Sequence, residues 1–251
     1  MTRLFLSGAT GAMGRTITEF VADLDDIVIT GGYACPAEQY YDYPVYDDLS
    51  AVDPSTFDMI VDFSHFSVLG DIIAFARRSE KPIVVATTGI DAEGEAMIQE
   101  ASAVVPVFRT ANMSFGVNLM VRLLKQAAKA SAGYDIEIIE AHHNKKVDSP
   151  SGTAVMLANA IVENRPSETA LLYGRHGKDT RRKAEEITIH AVRGGTIPGD
   201  HTVLFAGADE VIEIKHSALS KKVFADGAVK AVRFLAGKPV GLYNMDDVIN
   251  Q

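Results

Sequence analysis

The chain opens on a short apolar run, Leu4 to Ser7, that passes without a spacer into Gly8-Ala9-Thr10-Gly11-Ala12-Met13-Gly14. A helical pattern follows at once from Arg15 to Val21, with Met13, Ile17 and Phe20/Val21 on one side. A strand joined to a helix through glycines three apart is a turn built for close approach. It either lets the helix cross tightly over a sheet or brings backbone amides and a helix N-terminus onto a pyrophosphate. The rhythm then repeats. Strands are expected at Ile27–Thr30, Met59–Phe63, Pro82–Ala86 and Ala103–Phe108. Helices are expected from a Ser64 or Ser67 cap to about Ser79, and from Glu93 to Ala101. Short apolar strands alternating with helices predict a parallel sheet covered on both faces.

After about Asn112 the pattern changes to a long helix over Val117–Ala130, a strand over Tyr134–Glu140 and a helix over Thr153–Glu163. Three further strands follow at 187–192, 201–206 and 210–216, the last two alternating cleanly, and a final helix spans Ala225–Leu235. The predicted fold class is α/β. An N-terminal Rossmann-like dinucleotide-binding domain (1–112, completed by 221–251) precedes an α+β domain (113–220) built on a mixed, mainly antiparallel sheet. The clean alternation suits a sheet with one wet face, or a face buried against a partner.

Composition narrows the function. With 251 residues, 47% of them hydrophobic and 23% charged, the chain reads as an ordinary soluble globule. A formal charge of −9 argues against nucleic acid as a partner, while a local basic cluster can still hold a small anion. The single cysteine, Cys35, excludes an internal disulfide and a multi-cysteine metal site, and no metal is expected. The first residues are too short an apolar run for a signal peptide, and no stretch is long enough to span a bilayer. A cytoplasmic enzyme without a membrane partner is the expectation.

Ligands of parallel sheets lie beyond the carboxyl ends of the strands. That logic adds Asp62-Phe63-Ser64-His65 and Ala86-Thr87-Thr88-Gly89 to the glycine turn, the Thr87 and Thr88 hydroxyls being suited to orient a nicotinamide. His65 also reads as a solvent-facing residue at a helix start. The acid expected on an adenosine ribose is missing where the second strand ends at Thr30-Gly31-Gly32-Tyr33, and no arginine replaces it. NADH and NADPH both remain expected cofactors.

The chemistry concentrates in Glu140-Ala141-His142-His143-Asn144-Lys145-Lys146-Val147-Asp148-Ser149-Pro150-Ser151-Gly152-Thr153. Histidine titrates near neutrality and can donate the proton that accompanies a hydride. Lysine offers a lasting cation for a carboxylate or for developing charge. Ser151 and Thr153 hydroxyls, with amides freed by Gly152, suit carboxylate oxygens at a helix start. A polar surface loop would share this composition, yet the run leaves an apolar strand and enters an apolar helix directly.

This run, together with Gly8–Arg15, Ala86–Gly89, Gly199-Asp200-His201-Thr202-Val203 and Gly241–Val248, resembles the dihydrodipicolinate reductase family over nearly the full length. The resemblance implies hydride transfer from NADH or NADPH to carbon 4 of 4-hydroxy-tetrahydrodipicolinate, or of its dehydrated form, in diaminopimelate and lysine biosynthesis. It implies His142 as proton donor and Lys146 as the essential lysine. His143, Lys146, Ser151, Gly152 and Thr153 would bind the cyclic dicarboxylate. Gly8, Ala12, Met13, Gly14, Ala86, Thr88 and Thr110-Ala111-Asn112-Met113 would line the cofactor, beside Gly11 and Thr87 from the reading above. A homotetramer joined through the second domain's sheet is also implied. Ala86, Met113, Lys221 and Phe234 stand where the family commonly has Gly, Phe, Arg and Trp; none lies in the chemical run.

Two other readings compete. Another two-domain dehydrogenase acting on a small carboxylate would use the same fold, but an acylating semialdehyde enzyme needs a nucleophilic cysteine and Cys35 is badly placed for it. A Tyr-x-x-x-Lys pair is absent. A nucleotide-sensing protein would bind cofactor without turnover and gives no reason for His142 and Lys146 to sit beside a Ser-Gly-Thr turn.

Overall fold

The computed structural model describes residues Met1 to Gln251, in two compact units: Met1–Phe115 with Lys221–Gln251, and Gly116–Ser220. In chain order the elements are β1 (Thr2–Ser7), α1 (Ala12–Val21), β2 (Ile27–Tyr33), β3 (Val45–Tyr46), β4 (Met59–Asp62), α2 (Leu69–Ser79), β5 (Ile83–Val85), α3 (Ala92–Ala101) and β6 (Pro106–Arg109). Then come α4 (Phe115–Ala130), β7 (Asp135–His142), α5 (Gly152–Val162), β8 (Ala170–Tyr173), β9 (Glu186–Arg193), β10 (Gly199–Ala206) and β11 (Val211–Ala218). The chain ends with α6 (Lys222–Leu235), β12 (Gly241–Tyr243) and α7 (Met245–Ile249).

The first unit is a seven-stranded, wholly parallel sheet in the order β12-β6-β5-β4-β1-β2-β3. Successive strand side chains point to opposite faces, so strands covered on both sides must be apolar at every position. Leu4, Leu6, Met59, Val61 and Val84 accordingly pack with α1 and α6, whereas Phe5, Ile60, Ile83 and Val85 pack with α2 and α3. The last long helix thus packs in the first unit.

Several local features depart from the sequence reading. β2 runs on through Gly31 and Gly32, because a Cβ at Gly32 would lie 2.7 Å from that of Ala9 and only glycine lets the strand continue there. Neither Ser64 nor Ser67 caps α2. His65 instead accepts the Ser67 N–H and closes a 3₁₀ turn over Phe66–Val68, and α2 starts at Leu69 without a side-chain cap. His65 itself is exposed, at the start of that turn. β3, β8, β12 and α7 span two to five residues and carry no periodic signal.

The second unit is a mixed five-stranded sheet, β11-β10-β7-β9-β8, antiparallel from β11 to β7 and parallel from β7 to β8. Helices α4 and α5 cover one face through Met120, Leu124, Leu157 and Ile161, against Ile136, Ile138, Ile187, Ile189, Val203 and Phe205. The other face is open, with Ile139, Val192 and Val211 exposed. β7 continues two residues past its expected end at Glu140, so His142 is a strand residue.

Within the first unit, α6 approaches the segment after β6 so closely that a Cβ at Gly227 would lie 1.7 Å from the Met113 carbonyl oxygen. Backbone cannot yield as a flexible side chain does. Gly227→Ala is expected to destabilise by at least the 1–3 kcal/mol of ordinary overpacking, about that range. A melting temperature equal to wild type would contradict this packing.

Candidate functional site

At the carboxyl edge of the parallel sheet the turn after β1 is shaped by backbone alone. The Gly8 and Ala9 N–H groups both donate to the Tyr33 carbonyl, at 2.9 and 3.1 Å, and Gly8 has φ +81°. A Cβ at Gly14 would lie 2.2 Å from the Gly8 carbonyl oxygen, so this glycine sets how near α1 comes to the turn. Gly11 caps α1 with no side chain, and the first turn holds no acid, whereas α3, α5 and α7 are capped by Asp91, Ser151 and Asn244. The amides at the exposed start of α1, around Ala12 and Met13, therefore have no side-chain acceptor of the chain's own. An uncapped helix N-terminus behind a glycine turn fits a dinucleotide pyrophosphate.

The other cofactor candidates differ in which way they face. Thr88 and Ala111 are exposed, and Asn112 is half-buried. Thr87 is buried, its hydroxyl donating to Asp62 Oδ2 at 2.6 Å and lying 3.0 Å from the Ser64 carbonyl. It ties β5 to β4 rather than reaching outward. Ala86 and Met113 are buried, and the Thr110 hydroxyl donates to the Asn112 carbonyl at 3.0 Å, folding that segment on itself. β2 ends at Tyr33 and is followed by Ala34 and Cys35, so no acid or arginine stands where a ribose would be read.

In the second unit the strand pleat decides the site. Ile136 and Ile138 point under α4 and α5, and the same two-residue period sends Glu140 and His142 to that face. Register then sets His201 opposite Glu140 and Arg193 beside His142. Each is a polar residue at the end of an inward apolar row: Ile187 and Ile189 precede Arg193, and Val203 and Phe205 follow His201.

Glu140 is wholly buried. Its Oε2 lies 2.7 Å from His142 Nδ1 and 2.7 Å from Arg193 Nη1; its Oε1 accepts the Ser151 N–H at 2.9 Å and Arg193 Nη2 at 2.7 Å. Burial alone would raise the Glu140 pKa, but the bonds from Arg193, His142 and the Ser151 amide outweigh it and hold the carboxyl below its usual value. His142 is itself 8% exposed, and a Cβ at Gly199 would lie 3.0 Å from its Nε2, so glycine there keeps that edge of the ring clear.

Beyond the strand, Asn144 N–H donates to the Gly195 carbonyl, just past the end of β9, and Lys146 N–H to that of His143, closing a local turn. The Lys146 ammonium lies 2.7 Å from Asp148 Oδ1. The Asp148 pKa is lowered, Lys146 foremost, with the Gly152 amide a minor contributor. A carboxylate thus rests against an ammonium four residues before the start of α5. Gly152 is exposed, and His143 and Thr153 are half-buried. Ser151 is turned inward: its Oγ accepts the Ala154 N–H at 3.1 Å and lies 3.0 Å from His201 Nε2. Its hydroxyl supports the helix start from beneath, contrary to the outward-facing role expected of it.

Glu140, Arg193, His201 and Asp148 received no role from the sequence. The first three were detectable in principle, since a charged or imidazole side chain extending an inward apolar row is unusual unless it is paired.

A glycine-turn dinucleotide sheet, and a second unit carrying a buried carboxylate–imidazole pair beside an ammonium, define a nicotinamide-nucleotide-dependent oxidoreductase. Models of the N-terminal and C-terminal parts of dihydrodipicolinate reductase match residues 2–113 and 116–249. The 4-hydroxy-tetrahydrodipicolinate reductase of Caldanaerobacter subterraneus subsp. tengcongensis is 44% identical over 251 residues, covering 100% of this chain and 99% of the relative. That of Clostridium tetani is 46% identical, covering 100% and 98%. A dipicolinate-bound dihydrodipicolinate reductase from Paenisporosarcina sp. TG-14 shares the fold, with a TM-score of 0.81, 22% identity and 97% of each chain covered. The chain belongs to the dihydrodipicolinate reductase family, and is an NAD(P)H-dependent oxidoreductase.

His201 supplies a stability test. Burial foremost, then the neighbouring His142, pushes its pKa from 6.5 down to about 4, so the folded protein keeps it neutral. Between those values the unfolded chain binds a proton that the folded chain does not. The contribution is complete above pH 6.5 and is lost as pH falls to about 4. It amounts to at most about 3 kcal/mol at 1.36 kcal/mol per unit. Thermal melts from pH 7 to 4 should fall more steeply for wild type than for His201→Gln; parallel curves would refute a buried neutral imidazole.

Proposed function

We propose that the protein reduces 4-hydroxy-tetrahydrodipicolinate, or its dehydrated dihydrodipicolinate form, to tetrahydrodipicolinate in the diaminopimelate route of lysine biosynthesis. NADH or NADPH, when bound, supplies the hydride to carbon 4 of the ring. The remaining work falls to the chain. Gly8, Gly11, Ala12, Met13 and Gly14 hold the pyrophosphate on backbone amides. Thr88 and the Thr110–Met113 segment border the nicotinamide, with Ala86 and Thr87 as the packed floor. Apart from Met113 these residues belong to the dinucleotide domain (1–112 with 221–251), and substrate binding to 113–220.

The observation that carries the substrate reading is the Asp148 carboxylate held by the Lys146 ammonium, at 2.7 Å, a few residues before the start of α5. A substrate carboxylate in the same surroundings meets an ammonium, the exposed Gly152 amide at the start of α5 and the Thr153 hydroxyl, with His143 alongside. Ser151 contributes by holding that helix start in place. His142 holds the proton that completes the reduction: hydride addition leaves an electron pair in the conjugated ring, and Nε2–H delivers a proton to it. Where the 4-hydroxyl is still present, water leaves to form the conjugated ring. Lys146 stabilises the carboxylate and the charge that develops near it.

A second, weaker association belongs to the same reading. The exposed Ile139, Val192 and Val211 on the open face of the second sheet support a homotetramer joined there, in keeping with the family resemblance. No helix is long and apolar enough to cross a membrane, and a biosynthetic reductase drawing on NAD(P)H fits the cytoplasm.

The direct test couples the protein to the upstream synthase and follows oxidation of NADH, then of NADPH. Both are expected to serve, with Michaelis constants within roughly a hundredfold, about 2.8 kcal/mol of differential binding. Oxidation with neither would overturn the assignment. His142→Gln should lower turnover roughly a hundredfold with cofactor affinity nearly intact, the loss typical of acid catalysis. Unchanged turnover would hand the proton to water. Lys146→Ala should raise the substrate KM and lower kcat together; a normal rate would remove the cation from the mechanism. Light scattering should give four times the chain mass.

A further inference from the structure

The four donors on Glu140 are divided between its two oxygens. Oε2 holds His142 Nδ1 and Arg193 Nη1; Oε1 holds the Ser151 N–H and Arg193 Nη2. An ionised carboxylate only accepts, so Nδ1 of His142 must carry a hydrogen, and in the neutral ring Nε2 is left with the lone pair. The opposite tautomer would point a nitrogen lone pair at a carboxylate oxygen 2.7 Å away. The other oxygen grips the amide immediately before Gly152 and Thr153. One side chain therefore holds both the ring and the start of the helix. Arg193 makes the grip rigid. Its fork spans both oxygens, and it also donates to the Val192 and Asp148 carbonyls at 2.7 and 2.9 Å. A bidentate guanidinium fixes orientation as well as charge.

We propose that Glu140, clamped by Arg193, is the positioning residue of the reduction: it keeps a hydrogen on Nδ1 of His142, so that the second proton, which makes the ring an imidazolium, sits on Nε2 and is the one delivered, and it sets the spacing between Nε2 and the amides that receive the substrate carboxylate. This rests on the reading of His142 as proton donor. The logic is that of the aspartate behind a catalytic histidine, where an amide in place of the carboxylate preserves the fold and ruins the tautomer. Here the same carboxylate has a second duty at Ser151.

The first test needs neither substrate nor variant activity. In protein labelled with ¹⁵N-histidine, at a pH where His142 is neutral, its signal (identified by loss in His142→Gln) should show Nδ1 protonated and Nε2 bare. An Nε2-protonated ring would overturn the proposal. In Glu140→Gln turnover should fall roughly a hundredfold. The KM for NADH should stay within about twofold, and the protonated nitrogen of His142 should change. Unchanged turnover, whatever the melting temperature, would reduce Glu140 to a structural part. Because the glutamine amide must face at least one donor, Glu140→Gln can fail to fold. Glu140→Asp then serves, and a wild-type kcat with the carboxylate drawn back by one methylene would equally overturn the proposal. A wild type inactive in the coupled assay would defeat the functional reading, while the tautomer measurement still decides the role of Glu140.

Discussion

Taking a carboxylate out of water costs several kcal/mol unless its lone pairs are filled and its charge is matched. Glu140 meets both conditions, and in doing so it constrains the rest of the second unit. Its partners arrive from separate places in the chain: His142 on the same strand, Ser151 at the start of α5 and Arg193 on β9. Each of those elements has its own apolar reason to pack where it does, and the carboxylate bonds to the ends of all three at once. The pair of half-buried Lys146 and exposed Asp148 is different. With the Asp148 side chain 57% accessible, such a contact is worth about 0–1 kcal/mol and can be exchanged for another anion at little cost. A rigid buried pair thus stands beside a loose surface pair, which is the division of labour expected where one part must hold still and another must accept a ligand.

The two units reach their polar ends by related routes. In the parallel sheet all strands point one way, so Gly8, Asp62 and Thr87 gather along one edge by topology alone. The mixed sheet of the second unit has no such common edge. There the carboxyl end of β7 meets the amino end of β10 in antiparallel register and the carboxyl end of β9 in parallel register. Strands of both directions therefore contribute to the cluster around Glu140.

Much of this was legible in the sequence, and the boundary has a physical meaning. The glycine turn could be read because a missing Cβ acts locally, as the 2.2 Å approach at Gly14 makes plain. The alternation of strands and helices survives without tertiary information because both faces of the parallel sheet are buried. The chemical run was visible as composition. What composition cannot say is which way a hydroxyl turns. Ser151 and Thr87 were read as ligand groups from their neighbours, yet both face inward and are satisfied within the fold. That Arg193 and His201 would gather around Glu140 was hidden for another reason. Arg193 and His201 lie 53 and 61 residues further along the chain, and only strand register brings them in. The cap at His65 was missed because a single 3₁₀ turn intervenes before α2.

The return of α6 to the first unit has a consequence for how the protein is made. The cluster on one face of the parallel sheet includes Ala225, Val229, Val232 and Leu235 together with Leu4, Leu6 and Val61. A nascent chain therefore finishes the whole of residues 116–220, a continuous stretch with its own core, before the sheet begun at Thr2 receives its last cover. During synthesis the earlier unit waits with apolar strand surface open while the later one is already able to close. The order in which residues leave the ribosome is thus the reverse of the order in which the two cores can be completed.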